Sequence, residues 1–368
     1  MKASFFIFFL FGYLTVMAQP PIGNATTNSN LYNTNLKQTA ISEKQEEESL
    51  DSKASVLSIS EFYQLHQLAN SSPNLKNPTL SSQVKMDDFV EGLHQLDANS
   101  FEYHLSSFMA GNFDLSRKNH LDLAKKMEPA NRQVLLQTTG VAFILKDKKA
   151  AAADLKALKE QNTWSADEYA YAKDVLTSLP PDAVLITNGF NDTYPILSIQ
   201  LLENYRSDVM LMPLFLLQSE DFQKSANADK LIQSNKGLIN GHFLSTFLQK
   251  NHAEKTFIAL TVPSSFYTKL LPQLYPIGLA FQYSSSSVSN STINLQLWKQ
   301  LNKTVISKNK DTNGKQLSAN YLPLLVNLFE YHKAENNVKE LTEVKAAIKQ
   351  IGNNIGNEQL ISELGLKE

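Results

Sequence analysis

The sequence contains no cysteine. That one absence removes disulfides, thiolate zinc sites, iron–sulfur ligation and a thiol nucleophile together. It also removes a lipid-modified cysteine at a mature N-terminus. An excess of either charge is missing as well: 34 basic side chains face 36 acidic ones, a formal net charge of −2. Without a basic field, nucleic acid is excluded as a general partner. Long apolar runs are also lacking beyond the N-terminus. The longest, Val209 to Leu217, is interrupted by Pro213 and reads as a buried strand. No Gly-rich nucleotide loop, His-Glu-x-x-His helix or Gly-x-Ser-x-Gly elbow occurs. Neither a cofactor nor a metal is therefore expected.

What is there begins with an address. Lys2 opens a short positive region, and Phe5 to Met17 form a mostly apolar run. Val16 and Ala18 supply the small residues of a cleavage site before Gln19. The pattern predicts a signal peptide over 1–18 and an exported protein of the periplasm or cell envelope; a short membrane anchor is the alternative. Residues 19–56 carry Pro20 and Pro21, an Asn/Thr/Ser tract and an acidic cluster from Glu43 to Asp51. So little apolar surface cannot offset ordering entropy, and a disordered tether is expected there. No membrane span is expected after signal cleavage.

Residues 57–178 have helical texture. Phe62, Leu65 and Leu68 recur at spacing three, and Phe89, Leu93 and Leu96 at four and three. Phe101–Phe113 and Asp114–Lys126 read as one helix hairpin, and Val134–Leu145 and Ala150–Glu160 as a second. Leu121 and Ala124 correspond to Leu155 and Leu158 at an offset of 34. In this period and layout the segment resembles tetratricopeptide repeats, whose paired helices stack into a concave surface; a generic antiparallel bundle is the alternative. The Trp/Gly/Tyr consensus of those repeats is only partly present.

Past Pro180-Pro181 the pattern alternates. Ala183–Thr187, Val209–Leu217, Thr256–Val262 and Gly278–Tyr283 read as strands. Helices are expected over Ile196–Tyr205, Phe222–Ser234, Leu238–Gln249 and Phe266–Leu274. Such alternation predicts a small parallel α/β module over 179–290. Leu322–His332 and Val338–Ile351 form a further hairpin within 291–368. The fold class is thus α/β plus α, a parallel sheet flanked by tetratricopeptide-like hairpins.

Two segments carry a second resemblance: Pro181-Asp-Ala-Val-Leu-Ile-Thr-Asn-Gly-Phe-Asn-Asp-Thr-Tyr-Pro195, running on to Tyr205-Arg-Ser-Asp-Val209, and Lys255-Thr-Phe-Ile-Ala-Leu-Thr-Val-Pro-Ser-Ser-Phe266 with Gly278-Leu-Ala-Phe281. Together they resemble the extracytoplasmic C-terminal region of the multi-pass protein O-mannosyltransferase-like family of Bacteroidetes, over roughly residues 175–350. Glycosyl transfer in that family is expected from its membrane-embedded part, which has no counterpart in this sequence. The family's loop usually reads Asn-Gly-Asp-Asn-Asp-Thr, and Phe190 stands here for its first acid. The resemblance therefore implies an accessory domain without catalytic residues to carry over.

The loop itself lies where open parallel sheets bind ligands, at the carboxyl end of a strand. Asn188, Asn191 and Asp192 could hydrogen-bond a neutral polyol while Phe190 and Tyr194 offer apolar faces. Alternatively, Asp192 and Thr193 only cap the following helix, with Pro195 in its first turn. An Asp at the positive helix end disfavours phosphate. Pro263-Ser264-Ser265 could line the same crevice, with Ser265 as a helix N-cap the alternative. Asp192 is the candidate acid/base if the protein is an enzyme. The seven histidines read as surface or capping residues. These features point to a non-catalytic binding or scaffold protein that holds an envelope protein partner, with glycan as a further ligand. A glycan-modifying enzyme and a soluble subunit of a membrane glycosyltransferase are the alternatives.

Overall fold

A computed structural model describes residues 58–71, 80–225, 239–250, 255–307 and 310–357. The expected signal peptide and tether lie outside the described residues, as does the end of the helix expected over 222–234. The chain opens with α1 (Ile59–Ser71) and α2 (Leu80–Asp97). Phe62 stacks on Phe89 at 4.9 Å between ring centroids, burying both. Leu96, expected on the same face, is 85% exposed. The inward stripe of α2 runs through Met86, Phe89, Val90 and Leu93, and Leu96 falls off it in the last turn.

Two hairpins follow. α3 (Phe101–Met109) pairs with α4 (Lys118–Met127), and α5 (Arg132–Ile144) with α6 (Lys148–Glu160). Their ends are encoded locally: Ser100, Asn131 and Asp147 side chains accept from first-turn backbone N–H groups. Leu121, Ala124, Leu155 and Leu158, the four residues related by the offset of 34, are all fully buried. α7 (Ala166–Thr177) then starts at a capping box formed by Ser165 and Glu168.

The sheet that follows is mixed rather than parallel. Its five strands are β1 (Val184–Thr187), β2 (Met210–Pro213), β3 (Thr256–Ala259), β4 (Leu274–Ile277) and β5 (Ala280–Tyr283), in the order β2-β1-β3-β5-β4. β1 pairs in parallel with β2 and β3, whereas β5 runs antiparallel to both β3 and β4. The reversal comes from the two-residue turn Gly278-Leu279, which can join only antiparallel strands. Gly278 sits at φ 51°, and a Cβ there would meet Ser178 Oγ at 2.3 Å. The segment expected as a helix over 266–274 is instead two short 3-10 turns leading into β4.

α8 (Phe190–Leu202) connects β1 to β2, and α10 (Gly241–Lys250) precedes β3 after a short α9 (Glu220–Ser225). C-terminal to the sheet lie α11 (Ser291–Gln300), α12 (Thr312–Ser318), α13 (Leu322–Ala334) and α14 (Val338–Ile355). α13 and α14 form the expected hairpin. One apolar core runs from Phe62 to Ile351 through every part. Polar contacts tie the parts as well. The buried Asp174 carboxylate on α7 accepts from the Asn302 and Lys303 N–H groups at 2.7 and 2.9 Å, and from the Tyr321 hydroxyl at 2.6 Å. The Leu279 N–H donates to Ser178 Oγ at 3.0 Å. Among the described residues, no helix is long and apolar enough to cross a membrane.

Candidate functional site

The strand order reverses direction between β1 and β3: the connection leaving β1 passes to β2 on one side, and the later chain returns as β3 on the other. Crevices at such switch points are where open α/β sheets place ligands. Asn188 and Gly189 end β1 there. Gly189 takes φ 79°, ψ 171° as the residue before α8, a backbone shape that strongly favours glycine. α8 thus begins at Phe190, six residues ahead of the expected start. Pro195 consequently lies in its second turn rather than its first, at the cost of one intrahelical hydrogen bond.

This start puts Asp192 in the first turn with its carboxylate folded back. Oδ2 accepts the Asn188 N–H at 2.7 Å, and Oδ1 accepts the hydroxyl of Thr261, just beyond β3. The carboxylate therefore bridges the two strands on either side of the switch point. It is 7% exposed. Burial pushes its pKa from the ordinary 3.8 up to about 7, against the lowering effect of the Thr261 and Asn188 hydrogen bonds. The buried hydroxyls of Thr187 and Thr193 meet 2.8 Å apart, joining the end of β1 to the first turn of α8. Tyr171 from α7 faces the same carboxylate, and burial, then the Asp192 charge, raise its pKa well above 10.

The aromatic residues of the segment turn into the helical layer. Phe190 and Tyr194 stack at 5.1 Å, and Phe215 packs edge-on against Phe190 at 5.1 Å. Phe113 and Trp164 close the cluster from the helical side, 6.4 Å from Phe190 and 6.2 Å from Tyr194. Tyr194 is fully buried, and its hydroxyl donates to the Leu136 carbonyl of α5 at 2.9 Å. The Trp164 indole N–H donates to Asn191 Oδ1 at 3.0 Å. Of the five candidate ligand contacts, Asn188 and Asp192 stand together at the switch point. Phe190, Asn191 and Tyr194 join the sheet to the helices. Ser265 is exposed, and from that stretch of chain it is Thr261 that reaches Asp192.

Thr261, Tyr171 and Trp164 escape sequence reading. Thr261 ends an apolar run and could be placed at a strand terminus. Its partner, however, lies 69 residues away, and no local pattern encodes that pairing.

An α/β-plus-α protein is thus defined, with a mixed five-stranded sheet whose switch point is bridged by a buried carboxylate. A family model described as TMEM260-associated domain 2 matches residues 168–235, a stretch that holds most of α7, then β1, α8 and β2. The match includes the whole Asn188–Tyr194 segment and is consistent with a TMEM260-like family. No curated protein and no solved structure matches the chain.

Proposed function

We propose that this protein is an exported, non-catalytic binding and scaffold protein of the cell envelope, whose helix hairpins hold a protein partner. The observation that carries this reading is the Asp192 bridge. The Asp192 carboxylate, the Asn188 N–H and the Thr261 hydroxyl are spent on holding β1, α8 and the segment after β3 together, and the neighbouring rings are spent on the joint to the helical layer. That use favours a structural α/β module over a ligand crevice. Apolar side chains left outside support a partner on the helices: Leu123 and Met127, one turn apart on α4, are 37% and 45% exposed. The tetratricopeptide-like offset supports a protein partner, and the resemblance to the outer region of O-mannosyltransferase-like proteins favours one of the envelope, where a membrane glycosyltransferase is one fitting class. Affinity capture from the envelope after mild crosslinking tests the reading. A stoichiometric protein partner supports it, and a monomer that captures nothing overturns it.

A second reading rests on one feature of the same residue. A buried acid whose proton equilibrium lies near neutrality is what general acid–base catalysis uses. On that reading the protein modifies an envelope glycan or glycoprotein, and Asp192→Asn abolishes turnover while leaving the fold intact.

A further inference from the structure

The first helix hairpin carries a pair of histidines that the scaffold reading leaves unused. His104 on α3 and His120 on α4 bring their Nδ1 atoms within 3.0 Å. His104 is buried and His120 partly so. At that separation one imidazole N–H donates to the lone pair of the other, so the neutral pair shares a single proton along the contact. A second proton there leaves two donors facing each other with no acceptor between them, and two like charges in contact. Two nitrogens alone do not make a metal centre, and among the described residues no group of three or more ligating side chains could hold one.

The surroundings sharpen the conflict. The groups around the pair are Asp97 from α2, Tyr103 beside His104 on α3, with His94 of α2 on the Tyr103 ring, and Arg117 from the turn before α4. The Tyr103 ring touches His94, His104 and His120 at 5.1, 5.2 and 5.4 Å. Desolvation first, then the His104 and Arg117 charges, pull His120 below its ordinary pKa. Desolvation also lowers His104, with the Asp97 charge acting the other way. Arg117 donates to the Ser107 carbonyl at 3.2 Å, which fixes its positive charge near the hairpin. The acid acting on the pair is Asp97, an exposed residue at the end of α2, and its charge opposes the desolvation of His104.

We propose that the His104–His120 contact is a proton-sensitive latch: it holds the α3–α4 hairpin closed while the pair carries at most one extra proton, and releases it when both rings are charged. The folded hairpin binds fewer protons than the open one, so its closure is complete above the ordinary histidine range near 6.5 and weakens as pH falls below it. Acidification thereby loosens α4, the helix that carries exposed Leu123 and Met127.

Hydrogen exchange of the full chain at about pH 7.5 and about pH 5, corrected for intrinsic rates, tests the latch. The wild type is expected to lose protection over 101–127 by about tenfold or more at the lower pH, relative to α13. His120→Asn places a non-titrating amide near the Nδ1 position and is expected to abolish this selective loss. An equal loss in wild type and His120→Asn, or no selective loss in the wild type, overturns the proposal. Should the variant fail to fold, imidazole NMR of the wild type decides. The latch requires two separated proton steps, with amide protection over 101–127 falling at the second. Two independent titrations near 6.5 contradict it.

Discussion

The carboxylate of Asp192 accepts the hydroxyl of Thr261 across 69 residues of sequence, and so joins the helix after β1 to the segment after β3. The same carboxylate accepts the Asn188 N–H at 2.7 Å. The group that bridges the switch point prefers to be protonated up to about pH 7. Three expectations about stability follow from this bridge and the contacts around it.

Between the ordinary carboxylate value of 3.8 and about 7, the folded chain keeps the Asp192 proton and the unfolded chain loses it. The folded state binds more protons in that window, so stability falls as pH rises through it, by roughly 2–4 kcal/mol from this group. Asparagine mimics the protonated acid: Oδ1 accepts from Asn188 and Nδ2 donates to Thr261. Denaturant midpoints of Asp192→Asn should therefore match the wild type near pH 4 and exceed it near pH 8. Asp192→Ala leaves the Asn188 N–H without its acceptor and should cost about 1–3 kcal/mol near pH 4. Parallel pH profiles for wild type and Asp192→Asn would rule out the buried-acid bridge.

Much of the fold is legible in the sequence, and the failures have physical causes. The apolar spacings within each segment, together with the offset of 34, locate the helix hairpins because helical periodicity is set within a few residues. β4 is not legible: Leu274 continues the spacing of Phe266 and Leu270, which imitates a helix, and Pro276 argues against a strand. Its antiparallel direction is fixed by Gly278, which reads as the start of the next strand. At the site, Asn188 and Asp192 are found from the strand-to-helix pattern. The roles of Phe190 and Tyr194 depend on Phe113, Trp164 and Phe215, which only tertiary packing brings near.

Asp174 joins α7 to the C-terminal helices through three donors. Asp174→Ala leaves the buried Tyr321 hydroxyl and two part-buried backbone N–H groups without their acceptor, and should cost about 2–4 kcal/mol. Tyr321→Phe removes a single donor and should cost about 1 kcal/mol. Equal losses for the two variants, read from thermal or denaturant unfolding, would mean that the carboxylate does not organise this junction.

Gly140 of α5 lies under the aromatic joint. A Cβ there would come within 2.4 Å of Phe113 and 2.9 Å of the Tyr194 hydroxyl. Gly140→Ala should therefore destabilise the chain by about 1–3 kcal/mol, although alanine is the better helix former. Near-UV circular dichroism should show the aromatic cluster disturbed. A stabilised variant would show that the helices and sheet are not packed this closely.

The most direct test of the scaffold reading is quantitative affinity capture from the native envelope after mild crosslinking, run in parallel with wild type and Asp192→Asn. The expected result is the same partner, in the same fixed stoichiometry, from both chains, because the variant keeps the bridge and changes only its acidity. Capture of nothing by either chain, or loss of the partner by an Asp192→Asn protein that unfolds like the wild type near pH 4, would contradict it.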